Sequence, residues 1–160
     1  MATKPSNRDK SQARTLVVRA LTTDEFNQIA IAAHDSGQEM EMALHELLSL
    51  GFRAFDVAGA KHGVGNSVVL RASKSSYDRD GHFPTQSVVL RSVEFSNAIP
   101  GKLLFPRRAG PGPLEMVRIA RIFHRWVLRA GLGEQGVTLH AYRRSVMTQK
   151  LMEAASSLPG

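Results

Sequence analysis

Apolar and polar residues follow different periods along the chain, which predicts helices near both ends and strands in the middle. Residues 15–21 are apolar and β-branched on both faces, which favours a buried strand. Thr22 and Glu25 then have the spacing of a capping box, and the apolar residues after them recur every three or four positions. This pattern predicts a helix that ends before Gly37, and a second amphipathic helix over 38–50. The N-terminal region is therefore predicted to be strand, helix, helix.

The central region has the composition of β-strands. SVVLRAS at 67–73 and SVVLRSV at 87–93 are near copies of each other, and a polar stretch separates them. They predict two antiparallel strands with a long connection, and a third strand is expected at 102–105. Two explanations of the similarity stay open, an internal duplication or a coincidence between two short Val-rich strands.

The C-terminal region begins with a break in regular structure. PRRAGPGP at 106–113 contains three prolines and two glycines, so it is expected to be either a linker or a rigid basic loop. Helical periodicity resumes over 114–130 and again over 138–155. Together these elements predict an α+β fold with an N-terminal strand-helix-helix unit, a small antiparallel sheet and two C-terminal helices.

Composition excludes several classes of site. The chain of 160 residues has no cysteine, which excludes disulfides, thiolate zinc sites and cysteine nucleophiles. Its six histidines show no metal-ligand spacing, and no catalytic motif is present, so we expect neither an enzyme nor a cofactor, metal or small-molecule substrate. The first 15 residues are polar and no apolar stretch reaches 18 residues, which predicts a cytoplasmic protein that does not enter the membrane.

Charge is distributed unevenly along the chain. Lys and Arg number 21 against 14 Asp and Glu, giving a formal net charge of +7. Residues 1–21 hold five cations and one acid, and 101–160 hold ten cations and three acids, whereas 22–56 hold seven acids and one cation. A polyanion responds to local positive field, so contacts are expected from the two basic ends. The alternative is an Arg-rich composition inherited from a high-GC genome.

Arginine recurs at helical spacing on one face of the helix predicted over 114–130. At 100° per residue, Arg118, Arg121, Arg125 and Arg129 fall within about 80° of arc and span about 16 Å. Only Glu115 is near enough to pair with them, and Arg107 and Arg108 extend the patch if their loop folds back. The residues expected to face the core are Met116, Ile119, Ala120, Phe123 and Val127. Such a face suits a phosphate backbone, and a merely solvated surface is the alternative.

The last predicted helix adds further cations beside an aromatic ring. Arg143 and Arg144 follow Tyr142, and a ring next to arginine can stack on unpaired bases of RNA or single strands. A core position is the alternative for Tyr142.

The strand and two helices of residues 15–52 resemble the ribbon-helix-helix family of DNA-binding proteins. The resemblance is carried by the ALTTDEF entry, the HDSG turn and the LLSLGF exit. It implies an intertwined homodimer whose paired strands enter the major groove, with base contacts near Arg14 and Arg19 and phosphates at the start of the second helix. A helical pair that dimerises without touching DNA is the alternative.

These observations predict three regions: a basic flexible arm over 1–14, a ribbon-helix-helix-like unit over 15–56, and a β-hairpin with a basic helical module over 57–160. The last two form either separate modules or one core. We expect a dimeric double-stranded DNA-binding accessory or regulatory protein of bacterial, plasmid or phage type. The alternatives are an RNA or single-strand binder, and a non-enzymatic scaffold with an acidic protein partner. The expected contacts are Arg14, Arg19, Arg107, Arg108, Arg118, Arg121, Arg125, Arg129, Arg143 and Arg144.

Overall fold

A computed structural model describes residues 20–71 and 84–156, which form an α+β fold. The described residues contain five helices and a small antiparallel sheet, and three of the helices precede the first strand. In chain order the elements are α1 (Thr23–Asp35), α2 (Glu39–Ser49), α3 (Ala54–Ala58), β1 (Lys61–His62), β2 (Ser67–Arg71), β3 (Thr85–Val89), α4 (Met116–Arg129) and α5 (Leu139–Ser156).

The predicted N-terminal order of strand, helix, helix is wrong. The strands follow the first three helices, and Ala20 and Leu21, the described end of the predicted strand, lie in no strand. Leu21 is buried in the core, and its N–H donates to Ser145 Oγ of α5 at 2.9 Å instead of pairing with a strand. At Leu21, packing on a distant helix therefore overrides the strand propensity of the sequence. The remainder of the predicted strand, and the arm over 1–14, lie outside the described residues.

The first helix begins as its sequence predicts. The Glu25 N–H donates to Thr22 Oγ1 at 3.2 Å, and the Thr22 N–H donates to Glu25 Oε1 at 2.9 Å, which completes the capping box. Glu25 therefore caps the N-terminus of α1. Gly37 lies between α1 and α2 and has φ +67°, a conformation in which glycine avoids the strain of a side chain.

The sheet has the strand order β1-β2-β3, with both pairs antiparallel. Val68 faces Val88 across β2 and β3, so the two similar segments are paired as expected. The expected third strand at 102–105 is wrong, because the strand that completes the sheet is Lys61–His62. Leu103 forms only an isolated bridge to Lys61.

The segment after β3 is held by acidic side chains of α2, which explains why β3 ends at Val89 rather than at 93. The Arg91 and Ser92 N–H groups donate to Glu46 Oε1 at 3.0 and 2.7 Å, and the Ser96 N–H donates to Glu39 Oε1 at 2.9 Å. These N–H groups are thereby withdrawn from a strand ladder. Glu39 and Glu46, which belong to the acidic region 22–56, therefore hold the loop that follows β3.

Replacing Glu46 with Ala should free this loop. We expect faster amide hydrogen exchange at Arg91 and Ser92 and a loss of about 1–3 kcal/mol of stability, because hydrogen bonds to a charged acceptor disappear. Glu94→Ala is the matched control, since Glu94 is exposed and carries the same charge. Equal exchange rates in both variants would show that Glu46 does not hold the loop.

Helices and sheet share one hydrophobic core, which includes side chains from α1 and α2 as well as from α4 and α5. The Tyr142 ring of α5 lies between the rings of Phe26 and Phe123, with centroids 5.1 and 5.3 Å away in edge-to-face geometry. Tyr142 is therefore a core residue, and not an exposed stacking platform. Within 20–71 and 84–156, the structure contains no helix that combines the length and apolar character needed to cross a bilayer.

Candidate nucleic-acid interface

Helix α4 packs against α1 and α3 through a continuous apolar stripe. The prediction of this stripe was correct for Ile119, Phe123 and Val127 and wrong for Met116 and Ala120, which are exposed. The buried side chains of α4 are Ile119, Ile122, Phe123, Trp126 and Val127. The helix is thus rotated so that Trp126 enters the core, where its Nε1–H donates to Glu41 Oε1 at 2.7 Å.

Four arginines lie along one edge of the exposed side of α4, and we call them the arginine face: Arg118, Arg121, Arg125 and Arg129. Arg121, Arg125 and Arg129 are exposed, and within the described part of the chain none of them forms a salt bridge. Arg118 is partly exposed and its Nε lies 3.7 Å from Glu115 Oε2. Among the residues that the structure describes, the arginine face therefore has one neutralising acid, at its N-terminal end.

The loop over 106–113 folds back on itself and is not an extended linker. The Arg107 N–H donates to the Gly112 carbonyl at 2.9 Å, and the Leu114 N–H donates to the Phe105 carbonyl at 2.8 Å. Gly112 has φ +110°, a backbone conformation that a side chain would strain, so the return of the loop depends on glycine.

Folding of the loop brings Arg107 to the start of the arginine face. Arg107 Nε lies 2.9 Å from Glu115 Oε1, while the other oxygen of the same carboxylate faces Arg118 at 3.7 Å. Glu115 therefore bridges the loop and α4. Arg108 is exposed on the same loop.

The other arginines expected at the interface have different positions. Arg143 on α5 is partly buried; burial lowers the pKa of its guanidinium, Arg53 adds to this shift, and Asp56 opposes it. Its electrostatic neighbours thus belong to the α3 segment. Arg144 is exposed on α5, and Arg14 and Arg19 lie outside the described residues.

A group of buried polar side chains lies beneath α4, in the part of the core formed by α2 and α5. His45 Nε2 and the Tyr142 hydroxyl are 3.2 Å apart, and both residues are buried. Burial, the largest cause, and the neighbouring His34 together lower the pKa of His45 from 6.5 to about 4, against an opposing effect of Glu46. Burial also raises the pKa of the Tyr142 hydroxyl. Both groups are therefore neutral at pH 7, and the pair is a structural element of the core.

No family model, curated protein or solved structure matches this chain. The resemblance of residues 15–52 to ribbon-helix-helix proteins accordingly stays a prediction from the sequence.

The sequence predicted the arginine face, but it did not single out Phe55, and it placed Met116 in the core. Phe55 of α3 and Met116 of α4 are large apolar side chains that remain 62% and 43% exposed. Both line a cavity that Arg107 and Glu115 also border. The one sign in the sequence was the apolar composition of AFDVA at Ala54–Ala58. This composition predicts that Phe55 is buried, and not that it is exposed in the wall of a cavity. Across the described ranges, no three His, Cys, Asp or Glu side chains are grouped as metal ligands would be.

Proposed function

We propose that the protein binds double-stranded DNA through the arginine face of α4, extended by Arg107 and Arg108 of the preceding loop. The observation that carries this proposal is the row of exposed cations at Arg121, Arg125 and Arg129, which form no salt bridge with any acid of 20–71 and 84–156. A solvated helix surface usually mixes charges of both signs, whereas α4 contains no acidic residue at all. Phosphates would supply the missing counter-charge.

The dimensions of the arginine face suit a nucleic-acid backbone. From Arg118 to Arg129 the helix rises about 16 Å, and the side chains recur at intervals of about 5 Å along it. Arginine can bind a phosphate by two parallel N–H groups, so a row of this length can contact several successive phosphates. Contacts of this kind position a protein on DNA without reading its sequence.

Double strands are favoured over single strands by the burial of the aromatic residues. Phe123, Trp126 and Tyr142, the aromatic residues of α4 and α5, are all buried. Proteins that bind single strands combine cations with exposed rings on which successive bases stack. The arginine face lacks such a row of rings, which supports a partner recognised through its backbone. The homodimer expected from the sequence stays a prediction that sedimentation can test.

The proposal is tested by replacing Arg121, Arg125 and Arg129 with Gln and measuring binding to a DNA duplex across a series of salt concentrations. We expect the slope of log K against log salt to fall in magnitude by about 0.9 for each phosphate that the variant no longer neutralises, or by about 3 in total. Binding should weaken equally for unrelated duplex sequences, because phosphate contacts carry no base information.

The matched control replaces Lys61, Arg91 and Lys102 with Gln, which removes the same charge from exposed positions around the sheet. An equal change of slope in both triple variants would show that the salt dependence reflects only the net charge of the protein. That result would contradict a specific interface on α4. Duplex RNA and single strands are measured in parallel. Tighter binding to either of these than to duplex DNA would favour the corresponding alternative, and failure of all three to bind at low salt would leave an acidic protein partner.

A further inference from the structure

A cavity of about 560 Å³ lies where α3 and β2 meet the loop over 106–113 and the start of α4. Its volume falls in the range of about 300–1,000 Å³ that is typical of small-molecule sites. The lining residues include apolar side chains, Phe55, Leu114 and Met116, and charged ones, Arg71, Arg107 and Glu115. It is large enough for one planar heterocycle and an attached sugar.

The cavity offers apolar surface to a ligand. Phe55 and Met116 remain 62% and 43% exposed although both line a concave site, and Leu114 forms a buried part of the lining. Covering such side chains removes apolar area from water, which favours binding of a flat, weakly polar body. The Arg71 guanidinium carbon lies 5.7 Å from the centroid of the Phe55 ring, so this wall already accepts one planar group.

The charges around the cavity are balanced. Arg71 Nε lies 3.8 Å from Asp56 Oδ1, and Arg107 Nε lies 2.9 Å from Glu115 Oε1. A free anion inside the cavity would therefore meet as many carboxylates as guanidinium groups, and the lining favours a neutral occupant. Any negative charge that belongs to this occupant has to be held outside the cavity.

The arginine face provides cations that can bind a negative charge held outside the cavity. Glu115 contacts Arg107 with one carboxylate oxygen and Arg118 with the other, so the rim of the cavity is continuous with the arginine face. A nucleotide divides its chemistry in the same way, because its base is neutral and planar while its phosphodiester is anionic. Arg118 and Arg121 are the nearest members of the face along the chain.

We propose that this cavity receives one unpaired nucleobase of a DNA duplex whose backbone lies along the arginine face. The inference rests on the proposed function and refines it, since it makes the preferred target a duplex with an extrahelical or terminal unpaired base. Unpaired bases are the least costly to draw into a pocket, because no base pair has to be broken.

The test compares three duplexes of equal length and sequence: one fully paired and blunt, one with a single bulged 2-aminopurine, and one with a one-nucleotide 2-aminopurine overhang. The full-length protein should bind a duplex with an unpaired base roughly tenfold more tightly than the blunt duplex, as expected for a base covered by an aromatic side chain. The fluorescence of 2-aminopurine should change on binding. A preference for the bulge indicates a looped-out base as the source, and a preference for the overhang indicates a strand end.

Two variants address the cavity. Phe55→Ala removes an exposed part of its wall, and Gly59→Leu introduces a side chain at a position where an added Cβ meets nothing closer than the Asp56 carbonyl at 3.8 Å. Both should lose the preference for unpaired bases and keep the affinity of the wild-type protein for the blunt duplex. Ile99→Ala, at an exposed apolar position outside the cavity lining, should keep both.

Equal affinity of the wild-type protein for all three duplexes would overturn the inference, as would a preference that survives in both cavity variants. In either case, salt-dependent binding to the blunt duplex would leave the proposed function intact. Absence of binding to every duplex would instead overturn the proposed function itself.

Discussion

Trp126→Phe should lower the free energy of unfolding by about 3–5 kcal/mol, although the substitution keeps an aromatic ring in the core. Trp126 is fully buried, and its Nε1–H donates to Glu41 Oε1 at 2.7 Å. Phenylalanine has no donor, so the Glu41 carboxyl group would stay buried without the hydrogen bond that compensates its loss of water. The smaller ring also leaves a void, which adds to the cost. Urea unfolding measures the change.

The second half of this experiment replaces both partners. Glu41→Met alone should cost about 1–3 kcal/mol, because it leaves the Trp126 N–H without an acceptor. The double variant Glu41→Met/Trp126→Phe should be destabilised by about 2 kcal/mol less than the sum of the single variants, since no buried polar group is then left unmatched. Strict additivity would show that the hydrogen bond between α2 and α4 does not contribute as described.

Acid should destabilise the protein by roughly 3 kcal/mol through His45 alone. Burial, the largest cause, and His34 lower the pKa of His45 from 6.5 to about 4, against an opposing effect of Glu46. In the unfolded chain His45 takes up a proton as the pH falls below about 6.5, whereas in the folded protein it stays neutral until about pH 4. The stabilisation is therefore complete above pH 6.5 and is lost progressively between pH 6.5 and 4.

His45→Gln isolates this contribution from that of the carboxylates. Glutamine does not titrate and can still form a hydrogen bond with the Tyr142 hydroxyl, which lies 3.2 Å from His45 Nε2. We expect the difference in unfolding free energy between pH 7.5 and pH 4.5 to be smaller in the variant than in the wild-type protein. The same pH dependence in both would mean that His45 is not the group responsible.

Local signals in the sequence predicted the four longer helices but not the short helix α3. The capping box at Thr22 and the apolar period after it fix the start of α1, and the arginine face follows directly from the 100° advance per residue of α4. These features depend on neighbours three or four positions away, so the sequence of one segment is sufficient to predict them.

Features that depend on distant partners were not predictable in this way. Strand β3 ends at Val89 because Glu46, 45 residues before Arg91, accepts hydrogen bonds from the Arg91 and Ser92 amides. Leu21 leaves its predicted strand to donate to Ser145, 124 residues away. The cavity likewise combines α3, β2 and the loop before α4. No hydrophobic period marks such contacts, because each of them joins segments whose own sequences carry no sign of the partner.

The Glu115 carboxylate already contacts Arg118 of the arginine face, so a phosphate that bound there would compete with it for the guanidinium group. The carboxylate is closer to Arg107, at 2.9 Å, than to Arg118, at 3.7 Å. If a polyanion binds α4 as proposed, it would displace the weaker contact of Glu115, with Arg118, before the stronger one that ties the loop to the helix. A polyanion that engages several guanidinium groups at once would gain more from this exchange than a small monovalent ion. Under the proposed function, Glu115 would therefore favour polyanions over dissolved salt ions.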